Sequence, residues 1–136
     1  MLTIEHARFI ANDIADNDKG AIRAWSQLGA VAEHFQLDTD KHLLDIVNTL
    51  PLTWSLGLNR IYMRDEPEPL MYWQVTISRT TDQSQECRFD NTSMGRGHNQ
   101  LDAVVCALYR AYAQDLENKE ALRVFFENTT KESPDA

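Results

Sequence analysis

The apolar spacing of this chain changes period twice, and those two changes constrain the fold more than any single residue. Up to Leu50 apolar side chains recur at helical intervals; from Leu52 they alternate with polar ones, and after Asn99 helical spacing returns. A period of two requires a pleated strand, whereas a period near 3.6 requires a helix with one buried stripe. The order predicts an α+β fold: N-terminal helices, a three-stranded antiparallel sheet, and a C-terminal helix packed on the sheet. The 136 residues suffice for one core. Residues 1–128 read as a single domain, with 1–51 its helical part and 52–128 the β-meander plus C-terminal helices; 129–136 read as a disordered tail.

Thr3 is placed to cap a first helix that carries Ile4, Ala7, Ile10, Ala11 and Ile14 on one face. Asp16–Gly20 interrupts it and fails as a calcium loop, because no glutamate follows the glycine by six residues. A second stripe of Ile22, Trp25, Leu28, Gly29, Ala32 and Phe35 predicts the next helix, with Gly29 and Ala32 open to close approach. A third, shorter helix is expected after Asp40, with Leu43, Leu44, Val47 and Leu50 inward and Pro51 ending it.

Trp54, Leu56 and Leu58 then alternate with Ser55, Gly57 and Asn59. Asp65-Glu66-Pro67-Glu68-Pro69 reads as a hairpin loop or flap, since two prolines remove backbone donors. Met71, Trp73, Val75 and Ile77 share one face of a second strand, and Tyr72, Gln74, Thr76 and Ser78 share the other. Gln85–Phe89 is expected to be the third strand, with Cys87 and Phe89 inward. Gly95-Arg96-Gly97-His98 reads as a loop opening into the last helix, which Asn99 caps with Asp102 as a box-like partner. Asn118 is a candidate restart or kink before Leu122, Phe125 and Phe126.

The formal charge is −8, which argues against a direct nucleic-acid or anionic-membrane binder. The deficit of bases is uneven. Residues 51–98 carry six acids and five bases, and all five bases are arginines: Arg60, Arg64, Arg79, Arg88 and Arg96. Guanidinium groups suit bidentate recognition of carboxylate or phosphate. Two readings fit: cross-strand pairing with Asp65, Glu66, Glu86 and Asp90, or a shared anion site. The N-terminus lacks the basic and apolar regions of a secretory signal, so Cys87 and Cys106 are expected as reduced thiols in the cytoplasm.

Trp73-Gln74-Val75, a following strand, the glycines at 95 and 97, and Ala103-Val104-Val105-Cys106-Ala107-Leu108 together resemble the phage α-β-α (ABA) sandwich domain, over about 40 residues. The resemblance implies a phage or prophage origin, hence a host cytoplasm, and a non-enzymatic accessory role.

The catalytic inventory is thin: no nucleophile elbow, Walker loop, dinucleotide fingerprint or Cys-x-x-Cys is present. Cys87 with His98 is a conceivable nucleophile–base pair, but an inward strand cysteine is ordinarily inert. No enzymatic activity, cofactor or metal site is expected. The candidate ligand site is Arg79, Arg88, Gly95, Arg96, Gly97, His98 and Asn99, with Tyr72 and Trp54 as stacking rings. Its supposed basis is a glycine loop that feeds backbone N–H groups into a helix N-terminus. A plain β-to-α turn is the competing reading. The leading function is a binding protein that sequesters a phosphorylated small molecule such as a nucleotide signal, in a counter-defence or accessory role. The alternative is an acidic inhibitor that docks Glu5, Asp13, Asp16 and Asp18 on a basic groove of a host protein. The number of large rings also predicts a homo-oligomer, most simply a dimer.

Overall fold

In the computed structural model, residues 2–16, 20–37, 54–63, 70–79 and 92–131 are described. The expected helix after Asp40, the Asp65–Pro69 flap, the strand at Gln85–Phe89 with Cys87 and Arg88, and residues 132–136 of the expected 129–136 tail lie outside them, as does the Trp25 side chain; residues 129–131 of that tail are helical, not disordered. The elements are α1 (Ile4–Asp16), α2 (Gly20–Phe35), β1 (Trp54–Met63), β2 (Leu70–Arg79), β3 (Thr92–Gly97) and α3 (Gln100–Lys131). The strands form an antiparallel meander in the order β1-β2-β3, and α3 returns along the sheet as the sequence predicts. No described helix is long and apolar enough to cross a membrane.

Local chemistry sets the helix ends. Thr3 Oγ1 accepts the His6 backbone N–H at 3.1 Å, so Thr3 is the N-cap of α1. Gln36 adopts φ 56° after α2, and the Leu37 N–H returns to the Ala32 carbonyl at 2.8 Å. This is a Schellman closure, with Leu37 buried beneath it. The anticipated face of α1 is the buried one: Ala7, Ile10, Ala11 and Ile14. On α2 the stripe is rotated from expectation. Leu28, Val31 and Ala32 are buried, whereas Gly29 is exposed and approached by nothing.

The third strand differs most from expectation. Residues 92–97 form β3, pairing with β2 as Ser78↔Thr92, Thr76↔Met94, Val75↔Gly95 and Trp73↔Gly97. No described glycine has positive φ, so Gly95 and Gly97 do not make a turn. They let α3 lie directly on the strand. A Cβ at Gly95 would come within 2.5 Å of the Ala103 carbonyl oxygen and 2.8 Å of Ala107 Cα; one at Gly97 would meet Ala103 N at 2.7 Å. Side-chain period alone could not separate strand from loop here, because a glycine contributes no side chain to the pattern.

α3 is one continuous helix of 32 residues, about 48 Å long, with no break at Asn118. Residues 102–109 and 111–113 are buried on every side, because α3 packs between the sheet and the N-terminal helices. Tyr109 and Leu108 are fully buried, and Tyr112 donates its hydroxyl to the Leu2 carbonyl at 2.8 Å. The odd-numbered residues of β2, from Trp73 to Arg79, face this helical layer; Tyr72, Gln74, Thr76 and Ser78 face away from it.

Adding a methyl group at Gly95 therefore forces backbone apart, while Gly57 has no atom nearer than 3.9 Å to its would-be Cβ. Gly95→Ala is expected to lose about 2–3 kcal/mol in urea unfolding, and Gly57→Ala less than about 0.5 kcal/mol.

Candidate functional site

Two of the arginines expected to converge, Arg79 and Arg96, lie on opposite faces of the sheet. Arg79 has the same strand parity as Val75 and Ile77, so it points into the helical layer, where it is 8% exposed. Its Nη1 lies 2.7 Å from Asp115 Oδ1, and its Nη2 donates to Gln114 Oε1 at 3.1 Å. The guanidinium stands over the rings of Phe35 and Trp54, 5.3 and 5.7 Å from their centroids. Trp54 meets Phe35 edge-on at 5.0 Å. Both predicted site residues are thus packing elements on the covered face, while Tyr72 and Arg96 are on the other. Asp115 also bonds His34 Nε2 at 2.9 Å. The Arg79–Asp115–His34 cluster joins residues up to 81 apart in sequence, with no local motif to announce it. His34 bonds no hydroxyl or thiol among the described residues.

The helix N-terminus is likewise engaged. Asn99 Oδ1 accepts the Asp102 backbone N–H at 2.8 Å, and Asn99 Nδ2 donates to Asp102 Oδ2 at 3.0 Å. This bears out Asn99 as cap and Asp102 as its partner. The Asp102 carboxyl therefore already sits where an incoming anion would meet the dipole. Burial raises its pKa, partly offset by the Asn99 bond and by charge at His98. Gly97 lies beneath Asp102 and His98 is exposed, so the 95–99 segment is a strand end and a cap rather than an anion loop.

A different grouping forms at the free edge of β3. Along α3, Cys106, Arg110 and Gln114 recur every fourth residue and meet the backbone groups that β3 turns away from β2. Gln114 Nε2 donates to the Thr92 carbonyl at 3.5 Å, and Arg110 Nη1 to the Met94 carbonyl at 3.0 Å. Cys106 Sγ accepts the Arg96 backbone N–H and donates to the Ala11 carbonyl at 3.3 Å. Burial pushes the Cys106 thiol above its ordinary pKa, opposed by the nearby Arg110 charge. Cys106 is therefore a packing and edge-sealing thiol.

Beside this seal, a cleft of about 390 Å³ is lined by Tyr72, Gln74, Met94, Gly95, Arg96 and Arg110. The Arg96 guanidinium stands 5.9 Å from the Tyr72 ring centroid and pairs with Asp16 at 2.6 Å, both side chains being about half exposed. Arg110 donates also to Asn12 Oδ1 at 3.2 Å and to no carboxylate among the described residues. Chemically the cleft offers two guanidiniums, an amide and an aromatic face. On the far side of Arg110, a larger cleft of about 590 Å³ has Arg8 ion-paired to Glu117 at its wall, which makes it less suited to an anion. Of the predicted residues, Tyr72, Gly95 and Arg96 come together and Arg79, Trp54, Gly97, His98 and Asn99 do not line this cleft; Arg88 lies outside the described residues. Arg110 was not anticipated. Its only sequence signal is the four-residue row with Cys106 and Gln114. The proposed acidic docking face loses Asp16 to Arg96, and Asp18 lies outside the described residues.

No family model matches the chain, and neither a curated protein nor a solved structure matches it.

Removing the Asp115 carboxylate leaves the Arg79 guanidinium uncompensated in a nearly dry setting. Asp115→Asn is expected to cost about 2–3 kcal/mol by denaturant unfolding, whereas Arg123→Gln, at an exposed ion pair, should leave the unfolding midpoint unchanged. A raised Asp102 pKa means that the native state holds its proton more tightly than the unfolded chain. Its contribution to stability is full below the unfolded pKa and falls as pH rises through the folded one. Asp102→Asn removes that loss, so its stability relative to the parent should rise between pH 3 and pH 7 in paired urea titrations.

Proposed function

We propose that this chain is a small binding protein that captures a phosphorylated small molecule, such as a nucleotide, in the Tyr72–Gln74–Arg96–Arg110 cleft. It acts by sequestration without turnover, the accessory role that the phage-domain resemblance implies. The observation that carries the reading is the Arg110 guanidinium, which among the described residues meets only neutral oxygens and lines a cleft with Arg96 in a chain of net charge −8. A phosphate is the ligand group that such a pair of planar donors recognises best. Tyr72 supplies a face on which a base stacks, and Gln74 supplies an amide for its polar edge. Asp16 competes for Arg96 in the free protein. Because that pair is exposed it holds weakly, and a dianionic phosphate displaces it at small cost.

The test is a thermal-shift panel of mono-, di- and cyclic nucleotides on the full chain. A ligand at 100 times its Kd adds about 2.7 kcal/mol to stability, which reads as several degrees. Arg96→Ala and Tyr72→Ala are each expected to abolish the shift while the unliganded melting point stays within about 2 °C. A flat panel, or a shift that survives both substitutions, overturns the reading.

A further inference from the structure

Two clefts meet at one guanidinium. Arg110 and Met94 line both the smaller cleft, of about 390 Å³, and the larger one, of about 590 Å³. These two residues touch, since Arg110 Nη1 donates to the Met94 carbonyl at 3.0 Å. Arg110 Nη2 donates to Asn12 Oδ1 at 3.2 Å, which ties the guanidinium to a wall of the larger cleft. Each volume by itself lies in the range of small-molecule sites.

The clefts differ in chemistry. The smaller one adds a second guanidinium, Arg96, and the Tyr72 ring. In the larger one Arg8 is ion-paired with Glu117, so beyond Arg110 its charges cancel. What it offers a ligand is neutral and polar. Asn12 spends its Oδ1 on Arg110, while its Nδ2 has no partner among the described residues and can donate to a ring nitrogen or a carbonyl. The Gln114 amide is already committed, with Oε1 accepting from Arg79 and Ser93 and Nε2 donating to the Thr92 carbonyl. Met94 is 50% exposed and its sulfur lies 3.6 Å from Gln74 Nε2, so the shared wall has a pliable apolar part.

An anionic group is therefore favoured at Arg96 and Arg110, an aromatic ring at Tyr72, and an uncharged heterocycle on the far side of Arg110. A mononucleotide meets the first two conditions and leaves the larger cleft unused. We propose that the captured ligand is a dinucleotide, two nucleosides joined through phosphate, which occupies both clefts. One base stacks on Tyr72, the linking phosphate meets Arg110, and the second base lies in the larger cleft against Asn12. Arg110 suits a linking phosphate because a planar guanidinium bonds both of its unesterified oxygens in parallel. Arg96 then meets the other phosphate, terminal in a linear dinucleotide and bridging in a cyclic one. This inference rests on the nucleotide capture argued above and assigns the class of nucleotide.

Isothermal titration of the full chain tests it. The probes are the ribonucleoside 5′-monophosphates, the 5′-phosphorylated linear dinucleotides and the cyclic dinucleotides of the four common bases. The tightest dinucleotide is expected to bind about tenfold or more tighter than its component mononucleotides, as one further seated base should. One molecule should bind per chain, and the stronger of the linear and cyclic arms identifies the form. Asn12 is exposed on α1, and Asn12→Leu removes its amide while the Met94 carbonyl still holds Arg110. That substitution should weaken the dinucleotide about fivefold or more, and leave the mononucleotides within about twofold of the parent. Mononucleotides that bind as tightly as every dinucleotide overturn this inference and leave nucleotide capture standing. A dinucleotide gain that Asn12→Leu does not reduce overturns it too, as does one ligand shared by two chains. If neither class binds, capture itself fails and this inference with it.

Discussion

Backbone lies directly on backbone where β3 meets α3, and the rest of the architecture is arranged around that contact. Gly95 and Gly97 have no side chains to hold the helix off, and Ala103 and Ala107 present only methyl groups on the facing side. The helix therefore sits lower on the sheet than the ordinary separation of side-chain layers would permit. Its flank row of Cys106, Arg110 and Gln114 reaches the strand's outer edge as a consequence. Its far side is left for α1 and α2 to cover, which explains a helix buried over nearly three turns on all faces.

That low seat also generates the candidate site. Arg110 reaches the Met94 carbonyl and Asn12 because α3 is close enough for a guanidinium to bridge from helix to strand edge. Arg110 also lines a cleft whose other walls come from β2 and β3. Arg79 shows the opposite outcome for the same residue type. Enclosed by Phe35 and Trp54 and held by Asp115, it serves packing, because its strand parity turned it towards the helices. Which strand guanidinium lines the cleft and which one packs is decided by the face of the sheet, not by the residue.

Much of the architecture was legible from periodicity. The amphipathic faces of α1 and β2, the Thr3 and Asn99 caps and the meander order all follow from local spacing and short-range hydrogen bonding. The third strand was not legible at 92–97, because two of its inward positions are glycines and the apolar signal vanished where the packing is closest. The site was legible only in part. Tyr72 was foreseeable from strand parity and Arg96 from the glycine segment that holds it, whereas Arg110 is 14 residues beyond Arg96 on a helix whose polar positions look alike in sequence. The His34–Asp115–Arg79 cluster had no local trace at all.

By itself the sequence determined that α1, α2 and α3 coil and that β1 and β2 pleat, which faces of α1 and β2 turn inward, and that the molecule carries a net charge of −8. Those are consequences of interactions within a few residues, so they are written into the order of the chain. Tertiary structure alone decided that the 95–97 glycines are a seat for a helix, and that Arg96 and Arg110 share a cleft while Arg79 is walled off. It also decided that the outer edge of β3 is met by Arg110 and Gln114 from the helix. Each of these depends on how distant segments approach in space, a matter of packing geometry that local residue order does not encode.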